Sequence, residues 1–517
     1  MGGSMPSATE NYPPISIGQQ QQGPAAQESG SPALASAARF LREYPLRILA
    51  ISAAVLTPCF WHRHIEAGDL ASHTYNAWLA ELIARGQAPG LWLARQWNNI
   101  LFDVTLGGLG NLVGLRVAEK ITVASAVLIF FWGAFALVSA AARRPSWFVL
   151  PCLAIFAYGW TFEMGFLNFY VSLGLSFFGL ALLWRGHGWE RALIFALAPL
   201  TWMAHPLGTA LLLSVGGYLA ISRIVPPRFQ PYPTIGAAIL LLIARLYITA
   251  NYPVRWPRAS LFYFHGADQL LLYGSRYRIP EFLLMGLVLI FLGADVFGYR
   301  KSPGLLSAYR IPLQLYGLSL LMEWLLPSGI RLPQYPAPLN LLTERLTLIC
   351  AVFACTLLGV MKPSRWHLAA LSVVAAVFFA FLYQDTGKVD RMETDAEHYI
   401  AALPPGQRVI ATIWAFPGSR IFIMHIVDRA SIAHAFSYDD YEPSTGQFRV
   451  RASPGNPFVA SEFDAVDAMQ TGQYVVRHQN LPMAQIYQCD LSMTRLCMRE
   501  LTAGEINGRI GVQAALR

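Results

Sequence analysis

Between Glu66 and Trp92 the chain reads EAGDLASHTYNAWLAELIARGQAPGLW, which sets Glu66, Asp69, His73 and Asn76 within one short span. Tyr75, Trp78, Leu79, Leu82 and Ile83 recur at helical spacing. The pattern predicts an amphipathic helix with one greasy face, starting at Leu70 and stopped by Gly86. On it Asp69 and His73, four residues apart, share a face, with Asn76 a turn further on. A carboxylate held there can take a proton from an attacking nucleophile. Plainer roles fit the same residues: an Asp in front of a helix is a good N-cap, His73 can satisfy a polar edge, and the aromatic stripe can be packing. Topology has to separate these readings.

Composition sets the class. The 517 residues are 55% hydrophobic and only 13% charged, with a mean hydropathy of +0.41, far too apolar for an ordinary soluble enzyme. The formal net charge of +8 is carried largely by short loops between apolar runs, not by a basic domain interleaved with aromatics. Membrane orientation explains that pattern better than nucleic acid. The expected fold is mainly α: a polytopic transmembrane helix bundle with a C-terminal extracytoplasmic α/β domain.

Residues 1–35 are rich in Gln, Ser, Pro and Gly and read as a disordered tail. Arg39, Arg42 and Arg47 precede the apolar run Ile48 to Phe60. Cys59, Phe60, Trp61 and His62 stand where a cleavage site would need small residues, so the run is expected to be an uncleaved signal anchor. Further spans are expected at Ile121–Ala141, Trp147–Tyr158, Phe166–Trp184, Ala192–Ala204, Leu207–Ile221, Ile235–Ala250, Glu281–Phe297, Ile311–Leu326, Leu341–Val360 and His367–Tyr383. With the first run this makes about eleven crossings. Gln96 to Arg116, with Asp103 and many glycines, reads as a second surface-lying segment. Counted from an inside amino terminus, the inner loops hold Arg143 and Arg144, Arg185 and Arg191, Arg223 and Arg228, Arg300, Lys301 and Arg310, and Lys362 and Arg365. All are basic, as the orientation rule requires, and the carboxyl terminus falls outside.

Residues 36–385 thus form the membrane domain and residues 386–517 an outer domain large enough to be independent. Strands are expected at Arg408–Ala415 and Tyr474–Arg477, helices at Asp395–Leu403 and Ser461–Met469. Cys489 and Cys497 are the only cysteines of that domain and can close a small disulfide loop in an oxidising exterior.

On this topology Glu163, Asn168, His205, Arg245 and Glu323 join Asp69 and His73 at the outer ends of spans, and imply a polar cavity facing outward. The loop after Ala250 adds Arg255 and Arg258, then Arg276 and Arg278. Cations on an outer loop run against the orientation bias; phosphate recognition fits their fork geometry, and pairing with lipid headgroups is the plainer explanation.

An inside amino terminus, a first span followed at once by the acidic outer segment GDLASHTYNAW, many further spans and an outer carboxy-terminal domain together resemble the C-type glycosyltransferases. Those are membrane enzymes that use polyprenyl-phosphate sugar donors. The resemblance covers about residues 40–517 and implies a catalytic base at Asp69, with Glu66 as second choice and His73 beside them. It also implies donor-phosphate binding by Arg255, Arg258, Arg276 or Arg278, among a substrate-binding set that includes Asn76, Glu163, His205 and Arg245. The paired Asp-Glu of the protein O-mannosyltransferases is absent after the first span, so sugar and acceptor stay open. The implied reaction is inverting transfer to an extracytoplasmic glycan, lipid or protein, at a bacterial inner membrane. A divalent ion bridging Asp69 and the phosphate is compatible with the chemistry, but Glu66, Asp69 and His73 make no metal-ligand signature. A membrane transporter and a non-catalytic assembly protein with an outer binding domain are the alternatives. No internal repeat supports a transporter.

Overall fold

The computed structural model describes residues 33–257, 264–298 and 303–502. It is mainly helical, 66% helix and 7% strand, with a small C-terminal sheet. Seven helices are long and apolar enough to cross a membrane: Leu115–Ala142, Leu167–Arg185, Pro206–Ile224, Pro231–Asn251, Ser275–Gly298, Leu342–Val360 and Arg365–Ala401. Each overlaps an expected span. Pro231–Asn251 buries no residue at all, as a lipid-facing helix should. The remaining expected spans lie on shorter apolar helices, Pro45–Cys59 and Trp147–Glu163, on the eleven-residue Ile194–Ala204, and on Pro303–Leu325. The expected tail falls mostly outside the described residues, and its last part belongs to the helix Ala33–Glu43.

The last expected span continues as one helix through residue 385. Arg365–Ala401 is a single helix of 37 residues, about 55 Å at 1.5 Å per residue, longer than the roughly 30 Å of a bilayer core. The helix expected at Asp395–Leu403 is its far end. Its apolar positions continue past Tyr383 as Val389, Met392, Ala396 and Ile400, all buried, so the polar change in composition does not break it.

The C-terminal sheet runs in the order Phe436–Ser437, Arg408–Thr412, Met483–Gln488, Leu496–Leu501. The first three strands are parallel and the last is antiparallel. One face, through Val409, Ala411, Ala484 and Ile486, joins the core of the helical bundle. The other packs Ile410 and Met483 against Val466 and Met469 of the helix Phe463–Gln470. Tyr474–Arg477 does not form the expected strand. Cys489 and Cys497 are joined by a disulfide. The C-terminal region thus shares part of its core with the helical bundle. Leu91–Leu93, just beyond the first polar segment, pairs antiparallel with Val450–Ala452 and stitches the two together.

Candidate functional site

The site is built on the helix Leu70–Ala84, which starts and ends where the apolar spacing places it. It is not a surface helix with one greasy face. Every residue from Leu70 to Asn76 is buried, because the C-terminal region covers the side that the pattern left polar.

Asp69 is positioned by a close crossing of two chain segments. Its backbone N–H donates to Met164 O at 3.1 Å. A Cβ on Gly68 would lie 2.5 Å from that same oxygen, and one on Gly165 would lie 2.4 Å from Asp69 N. Both glycines also hold positive φ, where a side chain is strained. The Asp69 side chain makes no capping hydrogen bond, so capping does not explain the residue. Its carboxylate instead lies 3.7 Å from His425 Nε2 and acts electrostatically on the Tyr441 phenol. His425 Nδ1 is 2.8 Å from Asp428. Burial works against the charge on His425, but Asp428 and Asp69 outweigh it and push the imidazole up to about 9. Asp69 therefore faces an imidazolium at neutral pH.

One turn along, His73 Nδ1 lies 2.8 Å from Asp103 Oδ1 and 3.0 Å from Glu442 Oε1. Neither oxygen makes a directed hydrogen bond to the ring. Burial disfavours the cation, yet the two carboxylates hold His73 well above the usual imidazole range. Asp103 is fixed in turn by the Asn168 amide at 2.8 Å. On the next face Ser72 Oγ and Asn76 Nδ2 both donate to Asp440 at 2.8 Å, and the Ser437 N–H donates to Tyr75 Oη at 3.0 Å. Burial pushes the Asp440 carboxyl well up from its ordinary value.

Beside this site His73, Asn76, Asp103, Glu442 and Arg449 line a cavity of about 460 Å³, within the size range of small-molecule sites. Asp69 is not among its lining residues.

Glu66 points elsewhere. Its Oε2 lies 3.9 Å from Arg429, whose guanidinium grips both Glu393 oxygens at 2.6 Å and Glu119 at 2.7 Å. Burial, then Glu393, holds the Glu66 carboxyl well above the usual range. His64, Glu66 and Glu393 are close enough together to share an ion. Arg429 already supplies the positive charge there, and His64 is engaged by Asp390 at 2.9 Å and Glu397 at 3.3 Å. That donor set does not fit a divalent ion, and neither does Asp69, which faces an imidazolium.

The other expected site residues have partners of their own. Glu163 accepts from the Tyr273 hydroxyl at 2.8 Å. His205 Nδ1 accepts from Leu207 N–H at 3.2 Å and opens the helix Pro206–Ile224. Arg245 donates to Trp324 O at 3.1 Å and lies over the Trp256 ring. Arg276 is bound to Asp385 at 2.6 Å and Gln384 at 2.8 Å. Arg255 is an exposed residue of a short ladder with Gly329, and Arg278 is exposed at the start of its helix. Arg258 lies outside the described residues. The arginine that acts electrostatically on Asp69 is instead Arg345. It is seated over Phe166, 3.9 Å from the ring centroid, with Nη2 donating to Asn340 O at 2.9 Å.

Sequence reasoning passed over Arg345, His425, Arg429 and the run SYDDYE from Ser437 to Glu442. The run carried a signal, since Asp439, Asp440 and Glu442 form the densest acidic cluster of the C-terminal region. No family model, curated protein or solved structure matches this chain.

Proposed function

We propose that the chain is a membrane glycosyltransferase of the C type, moving a sugar from a polyprenyl-phosphate donor to an extracytoplasmic acceptor. The observation that carries this reading is Asp69: a carboxylate at the head of the first polar helix, free of any capping bond, facing His425 and Tyr441. In the reaction the acceptor oxygen attacks the anomeric carbon, its proton passes to the Asp69 carboxylate, and the bond from that carbon to the phosphate oxygen breaks. Polyprenyl phosphate leaves, and the anomeric centre inverts. Arg345 stands where a guanidinium could meet the phosphate charge, in place of the arginines of the later loops. His425, held as a cation, keeps Asp69 oriented.

The reading includes an inside amino terminus, about eleven crossings, an outside carboxyl terminus and a bacterial inner membrane. The basic loops support that orientation. The experiment is transfer by the purified full chain, offered polyprenyl-phosphate mannose, glucose and arabinose with membrane glycolipids as acceptors. Transfer from one donor is expected. No transfer from any of them, together with solute flux across liposomes carrying the protein, would replace the enzyme by a transporter.

A further inference from the structure

The cavity beside His73 holds a polar atom that the protein does not satisfy. Asn76 Oδ1 is buried and has no hydrogen-bond partner, and Asn76, 5% exposed, lines the cavity. Glu442 Oε1, also in the lining, meets the His73 imidazole 3.0 Å away. A buried acceptor left without a donor costs about 1–3 kcal/mol, so Asn76 facing the cavity points to a ligand that donates a hydrogen bond.

The opposite wall is made by the helix Leu101–Val113. There Gly107 and Gly108 face the cavity, with Val104 and Asn111 on either side of them. Neither glycine has a positive φ, and a Cβ built on either would meet nothing within 4 Å. Two adjacent glycines inside a helix cost about 1 kcal/mol each against alanine, and here neither backbone conformation nor packing demands them. What they provide is a flat wall without side chains.

We infer that this cavity receives the sugar acceptor, with the C–H face of a neutral, hydroxyl-rich ring against Gly107 and Gly108 and its hydroxyls donating to Glu442 and Asn76. This rests on the transferase reading. The ring's oxygens accept in turn from the Asn111 amide and Arg449, both in the lining. The donor's charged group is placed on the Arg345 side of Asp69, where that guanidinium already acts on the carboxylate.

The test is binding of methyl glycosides of mannose, glucose, galactose and arabinose to the full chain in detergent, read by saturation-transfer NMR without any donor. At least one glycoside should bind. Gly108→Leu, which fills the open space with a good helix former, and Glu442→Gln should each weaken it at least tenfold. Gly107→Ala is a milder second variant and should weaken it less, and unfolding midpoints measured alongside show that each variant is folded. Binding of no glycoside, or binding unchanged in folded Gly108→Leu, would overturn the inference. Glycoside binding in a chain that transfers from no donor would instead reject the transferase and keep the sugar site.

Discussion

Asn76 donates its side-chain amide to Asp440 at 2.8 Å across a separation of 364 residues. The other Asp440 oxygen takes the Ser72 hydroxyl, also at 2.8 Å, so one buried carboxylate ties the helix after the first apolar run to the C-terminal region. Asp440→Ala would leave the Ser72 hydroxyl buried without its acceptor, and Asn76 with only its local bond to Ser72 O at 3.0 Å. At about 1–3 kcal/mol for the orphaned group, the unfolding midpoint of the purified chain should drop. Asp440→Asn, which keeps one acceptor oxygen, should drop it less. Equal midpoints for the Ala variant and the native chain would show that this tie does not hold the two regions together.

Arg429 is the second tie. It joins Glu393 on the long helix, Glu119 on Leu115–Ala142 and the Ile65 carbonyl of the first segment. Removing one partner of a buried ion pair costs about 3–5 kcal/mol, because the charge left behind has no compensation. Arg429→Met should therefore cut the yield of folded protein in detergent sharply. Glu393→Gln introduced together with it should recover part of that loss, since one uncompensated carboxylate is then gone. A double variant no better than the single one would argue against the charge explanation.

Stability should fall as pH rises through neutrality. His425 is pushed up to about 9 from 6.5, where burial alone would lower it. Its contribution is fully present below 6.5 and is lost as pH rises through about 9. Asp439, pushed up to about 8 from 3.8 by burial and then by Asp428, works in the same direction: the folded chain keeps a proton that the unfolded chain has already released. Thermal unfolding between pH 6.5 and 9 should show a falling midpoint, with a shallower fall in Asp439→Asn. A midpoint that is flat or rises over this window would contradict the assignment.

Much of the helical frame was legible because apolar runs and helical spacing are local properties. The span Phe166–Trp184 and the helix Leu167–Arg185 nearly coincide, as do the expected and observed start of Leu70–Ala84. The long helix was cut short at Tyr383 because its C-terminal half is polar on one side, where Asp390 and Glu397 meet His64. The site was legible only in part. Asp69 and His73 could be picked out by type and spacing, but what faces them is brought in by tertiary packing: Asp103 from the next helix, and His425 and Glu442 from the C-terminal region. Loop placement and fork geometry suggest phosphate for Arg276, whereas its guanidinium is neutralised by Asp385, 109 residues further along the chain.

The orientation has its own test. A periplasm-dependent reporter fused after Arg517 should be active, and one fused after Arg228 should not, because the inner loops carry the basic residues. The reverse pattern would place Asp69 on the cytoplasmic side, away from lipid-linked donors presented outside.

The most direct measurement is sugar transfer by Asp69→Asn. Because Asp69 makes no capping bond, the change removes the negative charge and the proton-accepting capacity without uncapping the helix. Transfer should fall by about 10² to 10⁴, the usual contribution of a general base, or about 3–5 kcal/mol on the barrier. Binding of the polyprenyl-phosphate donor and the unfolding midpoint should stay near native values. Transfer at the native rate in Asp69→Asn would contradict the catalytic role of Asp69 and leave the proposed reaction without its base.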